Sequence, residues 1–276
     1  MLSEIGCSMN LDTIYCEDCL ATMARMPDGF VDLTVTSPPY DNLRDYKGYS
    51  FDFESTAKEL FRVTKTGGVV VWVVGDATIK GSETGTSFRQ ALYFKEVGFR
   101  LHDTMIWIKD GGGAIGSNKC YTQNFDFMFV LTKDAPRTIN ILHDKQNLSC
   151  GKNKGGAGRR KKDGTIKREK RLVCAAYSRR NNWWYVSTQR GGQHPAVFPE
   201  ALARDHILSW SSKGDLVYDP FMGSGTTAKM ALLTDRHFIG SEISAEYCQL
   251  AETRIARTRL QIKVARTIRR LNSSAS

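Results

Sequence analysis

Short continuous apolar runs alternate along this chain with longer stretches whose apolar residues recur at helical spacing. Val31-Asp32-Leu33-Thr34-Val35 and Val69 to Val74 are β-branched runs too short for helices, and they predict strands buried within a sheet. Asp12 to Glu17 alternates as a short strand, and Asp18 to Met26 predicts one amphipathic helix before the turn at Pro27-Asp28-Gly29. Asp52 to Thr64 carries Phe53, Ala57, Leu60 and Phe61 at helical spacing, with Gly67-Gly68 expected to stop it. Phe88 to Val97 predicts a helix closed by Gly98, Phe99 to Lys109 a strand, and Asn124 to Leu131 a phenylalanine-rich strand. Further on, a helix over Glu200 to Trp210, a strand from Leu216, a strand over His237 to Ile243 and a helix from Ala245 to about Arg270, with Ser244 as N-cap, complete the pattern. Strand and helix alternating at this pace predict an α/β fold with a mostly parallel, doubly wound sheet.

The pattern fails between Lys133 and Arg190, where Gly, Ser, Asn, Lys and Arg are in excess. Composition of the whole chain is ordinarily globular, with 41% hydrophobic and 10% aromatic residues in 276, so a sizeable core is available. The reading is of one domain in two halves, 1–132 and 191–276, interrupted by a basic, loop-rich segment at 133–190. Net charge is +10, and Lys152 to Arg171 alone holds ten Lys or Arg against Asp163 and Glu169, a local +8. Such an excess suits a polyanion. Arg159, Arg160, Lys161, Lys162, Lys167, Arg168, Lys170 and Arg171 are the candidate phosphate contacts, with Tyr177, Trp183, Trp184 and Tyr185 close behind as rings that stack on bases. Trp183-Trp184-Tyr185-Val186 also fits an edge strand folded back on the core.

Two interruptions carry the candidate chemistry. Thr36-Ser37-Pro38-Pro39-Tyr40 ends the first buried strand, because two prolines forbid both helix and ladder. A small hydroxyl, carbonyls and an aromatic ring are thereby presented at the carboxyl edge of a sheet, a site suited to a flat group bearing an amine. Asp219-Pro220-Phe221-Met222-Gly223-Ser224-Gly225-Thr226-Thr227 follows the Leu216 strand as a Gly-rich turn opening a helix. Its glycines let a ligand approach the backbone, and the helix start favours an anion. There is no Gly-Lys-Ser/Thr, which disfavours a nucleoside triphosphate, and Ala228 replaces the third glycine of a dinucleotide fingerprint. Glu242, seventeen residues after Gly225, is placed to accept from ribose hydroxyls. A small adenosine ligand with a carboxylate remains.

With these motifs the chain resembles the amino-directed DNA methyltransferases that use S-adenosyl-L-methionine. Ser37-Pro38-Pro39-Tyr40 is similar to their catalytic motif, Asp219 to Thr226 to their cofactor motif, and Gln193-His194-Pro195-Ala196-Val197-Phe198-Pro199 to the segment before it. The catalytic motif comes first, which is the permuted order of the β group. The resemblance implies a Rossmann-like methyltransferase fold with target recognition in the 133–190 insertion, double-stranded DNA as partner, and a homodimer as a common state. It implies that Ser37 Oγ and the Pro38 carbonyl accept from the exocyclic amine of a flipped base, with Pro39 shaping the turn and Tyr40 stacking. On the cofactor side it implies Asp219 near the methionine amino group, Phe221 to Gly225 around the amino acid moiety with Pro220, Gly223 and Ser224, Thr226 and Thr227 at its carboxylate, and Glu242 on the ribose. Thr36 joins this set, and Asp18 resembles the acidic residue near the adenine ring. Adenine N6 and cytosine N4 stand nearly even as targets. Methylation of RNA adenine or of a glutamine side chain, and nucleic-acid binding without catalysis, are the alternative readings.

Seven cysteines without a framework spacing suit a reducing compartment, and Cys16-Glu17-Asp18-Cys19 reads as two strand-end cysteines, since a zinc site needs two further ligands. No metal is expected. The first residues lack the basic and apolar regions of a signal peptide, and no apolar run reaches membrane-spanning length, so a cytoplasmic location is expected.

Overall fold

A computed structural model describes residues 9–39, 51–110, 121–154, 159–167, 172–187 and 199–274. These divide into two units, one formed by the chain up to Asn140 and from Asn182 onward, the other by Ile141–Asn181.

The first unit contains β1 (Thr13–Tyr15), α1 (Cys19–Arg25), β2 (Val31–Thr36), α2 (Phe53–Val63), β3 (Thr64–Val74), α3 (Thr86–Val97), β4 (Arg100–Ile108) and β5 (Phe125–Thr132). After the second unit come β6 (Trp183–Tyr185), α4 (Glu200–Trp210), β7 (Leu216–Asp219), α5 (Thr226–Leu233), β8 (His237–Ser241) and α6 (Ala245–Ser274). The eight strands form one sheet in the order β1-β8-β7-β2-β3-β5-β4-β6. Only β5 runs against its neighbours, so every other strand ends on the same edge. The expected mostly parallel α/β sheet is what the chain forms, with Trp183–Tyr185 as its edge strand.

Helices cover both faces. In β5, Phe127 meets Phe88 of α3 while its neighbour Met128 lies against His206 of α4, and successive strand residues point to opposite faces. α1, α2 and α3 pack in series, as do α4, α5 and α6. Between them, Val31, Leu33, Val35, Val70, Trp72, Leu131, Val217, Tyr218 and Ile239 are essentially excluded from water. At roughly 1.5–3 kcal/mol for each large apolar side chain, this central layer is the main source of stability.

Asp18 and Asp52 start their helices as predicted, accepting from Leu20 N at 2.7 Å and from Ser55 N at 3.1 Å. Gly67-Gly68 does something else. The α2 helix ends without them, and β3 begins directly at Thr64, so the two glycines lie inside the strand. Gly67 has φ +79, and a Cβ on Gly68 would come within 2.8 Å of the Thr64 side chain and 3.0 Å of the Asp32 carbonyl. They therefore relieve a crowded irregularity in the β2–β3 ladder, whose register shifts between Val31 and Leu33.

The cysteine expectation is also corrected. Cys16, just after β1, and Cys248, in the first turns of α6, are joined as a disulfide with Cα atoms 5.9 Å apart. Both lie beside the end of β8, where Glu242 N donates to Tyr15 O. Cys19, Cys150 and Cys174 are free thiols, and burial pushes Cys19 up to about 12. Among the described residues no group of three or more His, Cys, Asp or Glu could hold a metal ion, and no helix is long and apolar enough to cross a membrane.

The second unit is built from two-residue antiparallel ladders. One is a basic hairpin that pairs Arg159–Arg160 with Ile166–Lys167 around Asp163-Gly164. Gly164 takes φ +81, and Asp163 accepts from Thr165 N at 3.0 Å and from its hydroxyl at 2.6 Å, which closes the turn. An ion pair between Asp144 and Arg180 and a bond from Arg180 N to Leu142 O tie the two ends of this unit together.

Candidate active site

The two motifs singled out in the sequence lie on adjacent strands. β2, which delivers Ser37, and β7, which delivers the Gly-rich turn, pair in parallel through Leu33 with Val217 and Thr34 with Tyr218. From β2 the chain crosses over α2 to β3 on one side, and from β7 it crosses over α5 to β8 on the other. The strand order thus reverses between β2 and β7. In open α/β sheets the crevice at the carboxyl ends of such a pair is the place where ligands bind.

Side chains close the gap between the motifs. Thr36 Oγ1 donates to Asp219 Oδ1 at 2.7 Å, and both residues are buried. Thr227, in the first turn of α5, donates to the Val35 carbonyl at 3.3 Å. Phe221 N donates to Asp219 Oδ1 at 3.1 Å. Burial raises Asp219 to about 6, against the bonds from Thr36, Thr227 and Phe221 N that favour its charge. A carboxylate enclosed to this degree is suited to an ammonium partner, which would repay the cost of its ionisation.

Glu242, immediately after β8, accepts from Gly223 N at 2.8 Å and from Ser244 N at 2.9 Å. Burial raises its pKa, partly offset by these two bonds. The turn between is shaped by its neighbours: Met222 N donates to Ser241 O at 2.9 Å, and Met222 itself fills the space a side chain on Gly240 would need. Gly225 stands at φ +81 with Ala251 of α6 3.0 Å from where a Cβ would be, so both its conformation and its contact require glycine. On the outer side Phe221 meets Phe51 edge-on at 5.0 Å and Trp72 at 6.2 Å, joining the turn to β3 and to the start of α2. Pro220 is buried and Ser224 half-buried.

Several predicted residues have structural partners that the sequence did not disclose. Asp18 is exposed, and its carboxylate caps α1. Thr226 Oγ1 receives a bond from Arg254 Nη1 at 2.9 Å, so its hydroxyl faces that guanidinium, while the backbone N–H groups at the start of α5 remain outside the helix's own bonding. Of the catalytic stretch, Ser37 and Pro39 are half-buried and Pro38 buried at the end of β2. Tyr40 lies outside the described residues, as do the Gln193 to Phe198 segment and, among the basic candidates, Arg168, Lys170 and Arg171. Lys161 and Lys162 are exposed in the second unit, on the hairpin whose strands carry Arg159, Arg160 and Lys167. Arg254 and Glu200 are additions to the site that no motif indicated.

A buried carboxylate, a half-buried one and a helix start without a side-chain cap converge at this crevice, an arrangement able to take a small ligand that carries cationic, hydroxyl and anionic groups. Comparison with known proteins agrees. A family model described as DNA methylase, of the N6/N4 methyltransferases, matches residues 31–253. The orphan methyltransferase M.BamHII of Bacillus amyloliquefaciens is 56% identical over 83% of this chain and 89% of its own length. Among solved structures, the cytosine-N4-specific PvuII DNA methyltransferase superposes with a TM-score of 0.65 at 21% identity, covering 90% of this chain and 87% of the other. The M1.HpyAVI–SAM complex superposes with a TM-score of 0.59 at 23% identity, covering 88% of this chain and 98% of the other. The chain belongs to the DNA methylase family of S-adenosyl-L-methionine-dependent N6- and N4-amino methyltransferases.

Proposed function

We propose that this enzyme methylates the exocyclic amine of one base, adenine N6 or cytosine N4, flipped from double-stranded DNA into the crevice between β2 and β7. The observation that carries the reading is the bond from Thr36 Oγ1 to Asp219 Oδ1 at 2.7 Å, which brings the proposed acceptor of the amine, Ser37, within one residue of the cofactor's proposed carboxylate partner. S-adenosyl-L-methionine, when bound, supplies a methyl group on a sulfonium, a strong electrophile.

The protein's part is orientation and charge placement. Ser37 Oγ and the Pro38 carbonyl accept the two amine hydrogens, which favours a tetrahedral nitrogen and returns its lone pair from the ring for an in-line attack. Tyr40 stacks on the base and holds its plane. Asp219 binds the methionine ammonium, backbone N–H groups at the α5 start bind the carboxylate, and Glu242 binds the ribose. No cysteine adjoins Pro38 or Pro39, so the covalent adduct required for transfer to cytosine C5 has no nucleophile here. Lys161 and Lys162, exposed in the second unit, neutralise phosphates. The match to a family model described as DNA methylase supports DNA as substrate, and similarity to M.BamHII, named an orphan methyltransferase, supports methyl transfer.

The double substitution Ser37→Ala with Tyr40→Ala tests the assignment. Methyl transfer is expected to fall by at least roughly a hundredfold, the scale of losing a transition-state hydrogen bond. Affinity for S-adenosylhomocysteine, measured by calorimetry, should stay within about twofold. Retained transfer would remove the catalytic assignment.

A further inference from the structure

One side chain of α6 holds the Gly-rich turn through three bonds. Arg254, three turns into α6, directs Nη1 to the Ser224 carbonyl at 3.2 Å, to Ser224 Oγ at 3.1 Å and to Thr226 Oγ1 at 2.9 Å. Its Nη2 donates to Glu200 Oε1 at 2.6 Å. Glu200 opens α4 and takes a second ion pair, at 2.6 Å, from Lys229 of α5. One carboxylate therefore joins the starts of α4 and α5 to α6, and one guanidinium joins that carboxylate to the Gly-rich turn.

The pair is built to stay charged. Burial works against the Glu200 carboxylate, but the bonds from Lys229 and Arg254 prevail and hold it below the usual range. The guanidinium's planar fork is needed as well, because acceptors on the turn and an acceptor on α4 lie in different directions and a lysine ammonium is a single point. Arg254 and Lys229 also border a groove of about 520 Å³ that Leu250, Thr253 and Arg257 help to line. Arg254 thus grips the turn from α6, through groups other than those that bond Asp219 and Glu242.

We infer that Arg254, braced by Glu200, is a positioning residue for cofactor binding, and that it is not a phosphate contact. By fixing the Ser224 carbonyl and the Thr226 hydroxyl outward, it leaves the backbone N–H groups of the α5 start facing the crevice, where the carboxylate of the cofactor is received. The inference rests on the proposed cofactor site, yet it is tested by binding alone.

Arg254→Gln removes the charge and the fork, and Arg254→Lys keeps the charge. Kd for S-adenosylhomocysteine by calorimetry is expected to rise roughly tenfold or more in Arg254→Gln and by less in Arg254→Lys. KM for S-adenosyl-L-methionine should rise in parallel, kcat should change by less than about threefold, and Kd for DNA should hold within about twofold. Arg257→Gln, one turn onward, serves as the control with unchanged cofactor affinity. If Arg254→Gln does not fold, Ser224→Ala and Arg254→Lys carry the same comparison through smaller losses. Unchanged cofactor affinity in the folded variants would overturn the inference, and so would weakened DNA binding with normal cofactor binding. Absence of methyl transfer by the wild-type enzyme would instead defeat the proposed function and leave this measurement standing.

Discussion

The first unit and the second unit solve opposite problems. Around the crevice, the polar side chains are tied to specific partners: Asp219 to Thr36 and Phe221 N, Glu242 to Gly223 N and Ser244 N, Ser224 and Thr226 to Arg254. In the second unit the described chain is held by two-residue ladders and the Asp144–Arg180 ion pair, and its lysines at 161 and 162 face solvent. Methyl transfer depends on orientation, which a buried network in a parallel sheet supplies. Attraction of a polyanion depends on charge and tolerates a loosely framed hairpin.

The contrast can be broken first at Asp219. Asp219→Asn keeps the shape of the site and removes the charge, so S-adenosyl-L-methionine affinity should fall by roughly ten- to a hundredfold, the scale of a charge-assisted bond. Binding within about twofold of wild type would show that the buried carboxylate does not meet the ammonium. Acidification asks the same question without a substitution. With Asp219 at about 6, cofactor affinity measured from pH 7.5 to pH 5 should decline as the carboxyl takes up a proton, by about tenfold at the lower end. The sign for the free protein is the reverse: a carboxyl raised by burial penalises folding while ionised, so this residue's penalty is relieved as the pH falls through about 6 toward its unfolded value. A cofactor affinity that is flat across this range contradicts the assignment.

Gly225→Ala sharpens the structural side. A side chain at φ +81 costs on the order of 1–2 kcal/mol and presses on Ala251, so thermal unfolding should shift down by several degrees and cofactor affinity should fall with it. The smallest effect belongs to the second unit. Lys161→Ala with Lys162→Ala should weaken DNA binding by only a few-fold at moderate salt and flatten the slope of log K against log salt by about 2, with S-adenosylhomocysteine affinity unchanged. An unaltered salt slope would take those lysines off the phosphate backbone.

What the sequence disclosed follows a physical boundary. The β2 strand, its two prolines and the turn after β7 were legible because each is dictated locally, by β-branched side chains, by proline's missing N–H and by glycine's freedom. The meeting of Thr36 and Asp219, 183 residues apart, required only the inference that both strands end on one sheet edge. Gly67-Gly68 misled for a local reason: two adjacent glycines ordinarily punctuate, and only the crowding against Thr64 and Asp32 shows that they sit inside β3. Cys16 and Cys248 were beyond reach, since a separation of 232 residues carries no spacing signal. Arg254 was hidden among the cations of α6. Residues such as Arg259 and Arg269 around it are exposed, and charge alone does not distinguish a solvated arginine from one that grips a turn.

In the proposed reaction two neighbouring strands, β2 and β7, bring a sulfonium methyl and a base amine together. The purified enzyme, incubated with tritiated S-adenosyl-L-methionine and double-stranded DNA, should label the DNA, and digestion to nucleosides should place the tritium in N6-methyladenine or N4-methylcytosine. Label in 5-methylcytosine, or DNA that stays unlabelled while the enzyme binds the cofactor, would contradict it.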